Sequence, residues 1–198
     1  PSASLPSLTR DSRLFFRVFT SDDLEGRRAA RFLREEQVRE SVLIFSQDSE
    51  QARGIEPPFR QVFEQAMGGK VVGRVVLAEA DWQNQTADLL AAHNPESVYI
   101  IAYADRSIEV LRFLRDRGYK GTICLTSAFY SGEVVDQHPE LVEGVFFPQP
   151  AFDTEDENPL VQQFVSGFRD RYGHDPDIYA AHAYDAFRVV FRVIDEAS

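Results

Sequence analysis

Short apolar segments alternate with helical patterns along almost the whole chain, and this alternation is the feature that most constrains the fold. The segments lie at 13–19, 41–46, 70–78, 97–103, 121–126 and 144–149. They are rich in Val, Ile, Phe and Tyr, and most are continuously apolar, which is typical of strands buried on both faces of a sheet. We therefore predict six strands.

Segments with apolar residues at helical spacing separate these strands. They cover 21–38, 57–67, 83–93, 105–117, 158–172 and 178–196. Ser21 is expected to cap the first helix, Pro58 to open the second, and Gly68 and Gly69 to end it. Strands and helices that alternate with short connections predict an α/β fold of three layers, with a parallel, Rossmann-like sheet flanked by helices.

Composition and charge narrow the class of protein. The chain has 198 residues, of which 43% are hydrophobic, and a net charge of −11. This acidic balance argues against nucleic acid and anionic membranes as partners. The polar, Pro/Ser-rich residues 1–10 carry no apolar signal segment and suggest that the natural chain continues upstream.

Motifs for catalysis, cofactors and metals are missing from the sequence. No dinucleotide, phosphate-loop, zinc-protease or nucleophile-elbow pattern occurs, and the four histidines are scattered. The acids within 153–157 lack the glycine and distal glutamate of a calcium loop. The single cysteine, Cys124, lies in an apolar run and is predicted to be buried. We predict no enzyme activity, cofactor or metal site.

Polar and aromatic residues follow the predicted strands, at the edge where ligands bind in parallel α/β sheets. For each residue alone, capping of the next helix is the plainer explanation, and the cluster carries more information than its members. The candidate ligand-binding residues are Ser46, Asp48, Tyr103, Asp105, Ser127, Phe129 and Gln149.

A response-regulator receiver is one alternative for this arrangement, because Thr126 or Ser127 could be its switch hydroxyl. A receiver also needs a Lys-Pro pair after its fifth strand, and this chain has Gln149-Pro150 there. Without the lysine, phosphoryl transfer loses electrostatic support.

Several segments resemble one known family over nearly the whole chain. The segment 169–186, RDRYGHDPDIYAAHAYDA, is similar to the YG-x-x-PD-x-YAA-x-AYDA segment of the type 1 periplasmic binding proteins, the branched-chain amino acid receptors of ABC transporters. Further similar segments, in the family's order, are FFRVFTSDDLEGRRAARFL (15–33), SVLIFSQDSEQARG (41–54), GGKVVGRVVL (68–77), PESVYIIAY (95–103) and LVEGVFFPQP (141–150).

The resemblance implies two α/β lobes that close over a ligand. On this basis 1–19 is a crossover into the second lobe, 20–147 is that lobe, 148–157 is a crossover, and 158–198 are helices of a first lobe that is otherwise absent. The helix at 178–196 would then carry an uncovered apolar stripe. We expect it to fold back on the chain's own sheet or to pair with a second copy, as a homodimer.

The same resemblance bears on the ligand. Tyr103 stands at a tyrosine of the family, whereas Ser127 and Ala128 stand where an acid often meets the amino group of an amino acid. Ala52 and Arg53 replace the family's Tyr-Gly pair. The ligand is therefore expected to be a small polar molecule, with an amino acid, an amide or a related compound left open.

The resemblance also implies a role and a location. We expect a solute-binding module that serves an ABC permease or a fused signalling domain, in the periplasm or outside the cell, with a lipid anchor as one form of attachment. A module that kept this fold as an interaction or structural unit without a ligand is the alternative from another class.

Overall fold

The computed structural model describes residues 3–10, 14–130 and 132–197, without the side chains of 132 and 133. The chain divides into two compact units. One unit is Asp22–Gln149, and the other combines Pro1–Ser21 with Pro150–Ser198. No helix within the described residues is long and apolar enough to cross a membrane.

A parallel sheet of five strands forms the centre of the unit Asp22–Gln149. The strand order is β2-β1-β3-β4-β5. The strands are β1 (Ser41–Ser46), β2 (Lys70–Val76), β3 (Ser97–Ile101), β4 (Thr122–Leu125) and β5 (Val145–Phe146). All four pairings are parallel. The predicted α/β class with a parallel sheet is confirmed.

Helices cover both faces of this sheet. In chain order they are α2 (Asp22–Arg31), α3 (Glu50–Arg60), α4 (Trp82–His93), α5 (Ala104–Asp116), α6 (Gly132–Gln137) and α7 (Pro139–Val142), and α1 (Ser7–Arg10) belongs to the other unit. Single π-helical turns, Phe32–Glu36 and Gln61–Ala66, extend α2 and α3.

Each central strand contributes side chains to two separate hydrophobic clusters. In β1, Leu43 and Phe45 join the cluster that includes Leu111 of α5. Val42 and Ile44 join the cluster that includes Phe59 of α3. Burial on both faces explains why the strand sequences are continuously apolar.

The helix α3 begins earlier than the sequence pattern predicts. Its first turn is capped by Ser49, whose hydroxyl accepts a hydrogen bond from the backbone N–H of Ala52 at 3.2 Å. Pro57 and Pro58 therefore lie inside the helix, and the prediction that Pro58 opens it is wrong. Burial of Ile55 and Phe59 against the sheet and α2 compensates for the lost backbone donors.

The predicted first strand is also wrong for its described part, 14–19, which forms no strand. The Arg17 guanidinium holds this segment by donating to the backbone carbonyls of Ser4 at 2.8 Å and Leu5 at 3.0 Å. Leu14 is 92% exposed. The aromatic and aliphatic residues of this segment are typical of a strand. Within the described residues, however, no neighbouring strand pairs with the segment.

Two long helices dominate the unit that contains the chain's last residues. These are α8 (Pro159–Tyr172) and α9 (Ile178–Ala197). The Asn158 side chain accepts a hydrogen bond from the Leu160 N–H at 3.0 Å, and Gly173, at a φ of 76°, ends α8. Phe164 of α8 stacks on Tyr184 of α9 with ring centroids 4.5 Å apart.

The first testable prediction concerns the contact between α2 and α3. A Cβ at Gly26 would lie 2.3 Å from the carbonyl oxygen of Ile55, so Gly26→Ala forces the two helix backbones apart. We expect a loss of about 1–3 kcal/mol in the free energy of unfolding, measured by urea denaturation.

Gly167→Ala is the matched control, because a Cβ at this position of α8 meets nothing within 4 Å. There the same substitution should stabilise its helix by roughly 0.5–1 kcal/mol. Equal stability of the Gly26→Ala variant and the wild type would contradict the close contact.

Candidate functional site

The carboxyl edge of the sheet brings the ends of three neighbouring strands together. The backbone N–H of Gln47, after β1, donates to the carbonyl of Ile101 at 3.0 Å. Its side-chain oxygen accepts from the N–H of Tyr103 at 2.9 Å. The Thr126 hydroxyl, after β4, donates to the carbonyl of Ala102 at 3.3 Å. These bonds hold the loops after β1, β3 and β4 in fixed positions.

Tyr103 and Asp105, which the sequence predicts as site residues, are both accessible at this edge. Tyr103 follows β3, the central strand, and its side chain is 49% exposed. Asp105 lies in the first turn of α5 and is exposed. An aromatic ring and a carboxylate are therefore available to a ligand on the part of the edge that β3 supplies.

Ser46 and Phe129 are not accessible, which corrects their expected place at the surface. Ser46 is fully buried, and its hydroxyl accepts from the Arg74 guanidinium at 3.1 Å and from the Asp48 N–H at 3.2 Å. Phe129 is fully buried in a core cluster and contacts Phe147 with ring centroids 5.9 Å apart. Both side chains therefore stabilise the ends of the strands from inside the fold.

Asp48 and Gln149 lie outside the loop after β3 that contains Tyr103. Asp48 has a φ of 56° and lies 3.5 Å from the Arg74 guanidinium, which also pairs with Glu56 at 2.8 Å. Gln149 is exposed and lines a separate cavity of about 350 Å³ beside Phe32 and Phe146. Asp48 thus belongs to an ion-pair network around Arg74 of the edge strand β2.

Ser127 has a partner that the sequence did not indicate. Its backbone N–H donates to Oε1 of Glu25 at 2.8 Å, and its hydroxyl donates to Oε2 at 2.6 Å. Glu25 lies in the first turn of α2, and only 7% of its surface is exposed. In the sequence it looked like an ordinary acid stabilising a helix start. A contact across 102 positions leaves no local signal.

Glu25 lies in a buried environment that also contains the carboxylate of Asp22. Burial raises the pKa of Glu25, its two hydrogen bonds from Ser127 lower it, and the nearby Asp22 adds to the rise. The Tyr99 hydroxyl is fully buried without a hydrogen-bond partner. Burial raises the pKa of Tyr99 well above its usual value, and Glu25, Cys124 and Asp22 add to this effect.

The single cysteine of the chain offers no reactive thiol at this edge. Cys124 is buried, and burial followed by the charge of Glu25 raises the pKa of its thiol, which therefore stays protonated. Within residues 3–10, 14–130 and 132–197, no three His, Cys, Asp or Glu side chains lie close enough together to hold a metal ion.

Comparisons with known proteins agree with the α/β fold. The sequence profile of a family described as periplasmic binding protein matches residues 2–198. A comparison with curated proteins finds no significant match. A leucine-binding protein, LivK, from Thermotoga maritima MSB8 is 25% identical at a TM-score of 0.83, covering 98% of this chain and 55% of that chain.

Two further solved structures are similar. A putative branched-chain amino acid ABC transporter from Rhodospirillum rubrum is 29% identical at a TM-score of 0.78, covering 93% of this chain and 53% of its own. LivJ from Streptococcus pneumoniae, in complex with isoleucine, shares the fold at 21% identity and a TM-score of 0.77, covering 95% and 54%. The chain thus spans about half the length of these structures.

The parallel α/β fold and the profile match together define the class of protein. The chain belongs to the periplasmic binding protein family, whose profile it matches almost from end to end, and its solved neighbours are substrate-binding proteins of ABC transporters. The predicted resemblance to type 1 periplasmic binding proteins is confirmed.

The second testable prediction follows from the burial of Glu25. Its folded-state pKa lies above the ordinary value of 4.5. The stability that this group contributes is therefore present below pH 4.5 and is lost as the pH rises through the folded-state pKa. Glu25→Gln removes this loss, so we expect the variant to gain stability relative to the wild type as the pH rises above 4.5.

Urea denaturation at several pH values measures this difference in the free energy of unfolding. Glu36→Gln, an exposed position in the turn that extends α2, makes the same charge change and should show no such trend. A wild-type-minus-variant difference that stays constant with pH would contradict a raised pKa at Glu25.

Proposed function

We propose that this chain binds a small polar solute, an amino acid, an amide or a related molecule, for an ABC transporter or a sensor. The observation that carries the proposal is the half-exposed Tyr103 ring at the carboxyl end of the central strand, on a backbone held by Gln47. Ligands of open α/β sheets bind at this edge. Family membership supports the general solute-binding function.

The kinds of side chain at the edge favour a ligand with both apolar and polar parts. Tyr103 offers a flat apolar ring, while Asp105 and the Ser127–Glu25 pair offer hydrogen-bonding groups. The relatives support this breadth: one solved neighbour is in complex with isoleucine and another, at 17% identity and a TM-score of 0.66, with benzoate.

The third testable prediction is that Tyr103→Ala weakens solute binding by at least about tenfold, or about 1.4 kcal/mol, because the ring surface that covers the ligand is lost. Isothermal titration calorimetry of the complete protein with amino acids, amides, and small aliphatic and aromatic carboxylates measures the affinity. Tyr172→Ala is the matched control, since Tyr172 is an exposed tyrosine in α8.

Two outcomes would count against the proposal. Heat from none of the solutes would remove support for solute binding of these classes. Binding that Tyr103→Ala leaves unchanged would show that this edge of the sheet is not the site.

Division into lobes is part of the same proposal. The unit Asp22–Gln149, with its own sheet, corresponds to a second lobe, and α8 and α9 belong to a first lobe whose sheet lies outside this chain. The unit that holds α8 and α9 contains no strand among its described residues, which supports this assignment. The proposed partners are an ABC permease or a fused signalling domain, and the proposed location is periplasmic or extracellular, with or without a lipid anchor.

An uncovered helix face supports a second, interaction-based role. α9 has no buried residue, and Phe187 and Phe191 are 63% and 62% exposed. Exposed apolar patches of this kind mark surfaces that contact another protein part. We propose that in the isolated 198-residue chain this face pairs with a second copy.

The fourth testable prediction is concentration-dependent dimerisation of the 198-residue chain, measured by sedimentation velocity. Phe187→Asp combined with Phe191→Asp should leave a monomer, because burial of the two rings is lost. Arg192→Ala, at an exposed polar position of the same helix, should dimerise as the wild type does. A wild-type chain that remains monomeric at every concentration would contradict pairing through α9.

A further inference from the structure

The hydrogen bonds between Glu25 and Ser127 give the Ser127 hydroxyl two alternative states. A serine hydroxyl carries one donor hydrogen and two acceptor lone pairs. The Ser127 N–H always donates to Oε1 of Glu25, so only the contact of 2.6 Å between the hydroxyl and Oε2 can change its direction.

The direction of that contact depends on the proton of Glu25. When Glu25 is ionised, Oε2 can only accept, so the hydroxyl hydrogen of Ser127 points to Glu25 and its lone pairs remain for another group. When Glu25 is protonated, its O–H donates to the Ser127 oxygen. The hydroxyl hydrogen of Ser127 is then released for another group.

We propose that Glu25 determines which kind of polar group the protein recognises at Ser127: a hydrogen-bond donor of the solute when Glu25 is ionised, and an acceptor when Glu25 is protonated. This inference rests on the proposed solute-binding function and assigns a specificity-determining residue to it. Glu25 acts through Ser127 and is thus a positioning residue.

Four groups around Glu25 support a change of protonation at this place. Asp22 lies one turn earlier on α2, Ser127 in the turn after β4 hydrogen-bonds to Glu25, and Tyr99 of β3 and Cys124 of β4 are close enough to interact with its charge. None of them is a cation, and no described lysine, arginine or histidine forms an ion pair with Glu25. A buried carboxylate without a cation readily takes up a proton.

The Tyr99 hydroxyl, which has no hydrogen-bond partner, is an independent indication that the residues around Glu25 do more than fill the core. It is fully buried, close enough to Glu25 for the two groups to influence each other, and forms no hydrogen bond. A fold that only needed a filled core would place phenylalanine there, because a buried polar group without a partner costs stability.

Glu25→Gln is the decisive variant, because the amide imitates only the protonated state. The Ser127 N–H requires the amide oxygen as its acceptor, so the NH₂ group must face the Ser127 hydroxyl and donate to it. The hydroxyl hydrogen is then released at every pH. Ser127→Ala removes the hydroxyl and serves as the second variant.

The experiment compares two probes with the same carbon skeleton, L-leucine and 4-methylpentanoate, which differ by the ammonium group that donates hydrogen bonds. Calorimetry on the complete protein gives the ratio of the two affinities between pH 5 and pH 8. Carbon-13 NMR of the Glu25 carboxyl follows its titration in the same range. Glu36→Gln controls for the change in net charge.

In the wild type and in Glu36→Gln, we expect the preference for leucine to rise about tenfold with pH, at the titration midpoint of Glu25. In Glu25→Gln the ratio should stay flat at the wild-type value of low pH, and in Ser127→Ala it should also be independent of pH. A wild-type ratio that does not follow the Glu25 titration, a Glu25 whose pKa is not raised above 4.5, or an unchanged pH dependence in either site variant would overturn the inference.

These results are distinguishable from failure of the proposed function. If the wild type binds neither probe, solute binding of this class fails and the inference falls with it. If binding is present but the ratio does not depend on Glu25, solute binding stands and only the role of Glu25 is overturned.

Discussion

Parallel pairing of β1, β3 and β4 is the constraint on which the rest of the structure depends. Parallel strands end at the same edge of a sheet, so the loops after all three strands must meet there. Backbone and side-chain hydrogen bonds from Gln47 and Thr126 then join these loops. The candidate site is a direct consequence of this geometry, because no single loop contains its residues.

Burial on both faces of the sheet leaves little freedom in how the helices pack. α2 approaches α3 so closely that Gly26 has no room for a Cβ. This approach places the start of α2 over the carboxyl edge, where Glu25 reaches Ser127. The packing of two helices thus decides the chemistry of a loop that is distant in sequence.

Polar groups at the edge divide into two kinds. Arg74 on β2 contacts Ser46 at the end of β1, Asp48 in the loop after β1 and Glu56 on α3, and this network has charges of both signs. Glu25 and Asp22 lie in the first turn of α2, and the described residues offer Glu25 only neutral donors. A balanced network stabilises a loop, whereas an unbalanced buried acid is the arrangement expected at a functional position.

The sequence by itself determined the class of fold, four of the five strands closely, the approximate helices and the family, because apolar periodicity and turn residues act over a few positions. It also predicted that Tyr103 and Asp105, which come shortly after β3, lie at the carboxyl edge of the sheet. Only the tertiary structure decided that Ser46 and Phe129 are internal, that Ser49 rather than Pro58 opens α3, that 14–19 forms no strand, and that Glu25 lies against Ser127. These outcomes depend on which distant segments pack together, and the local sequence pattern contains no information about such tertiary contacts.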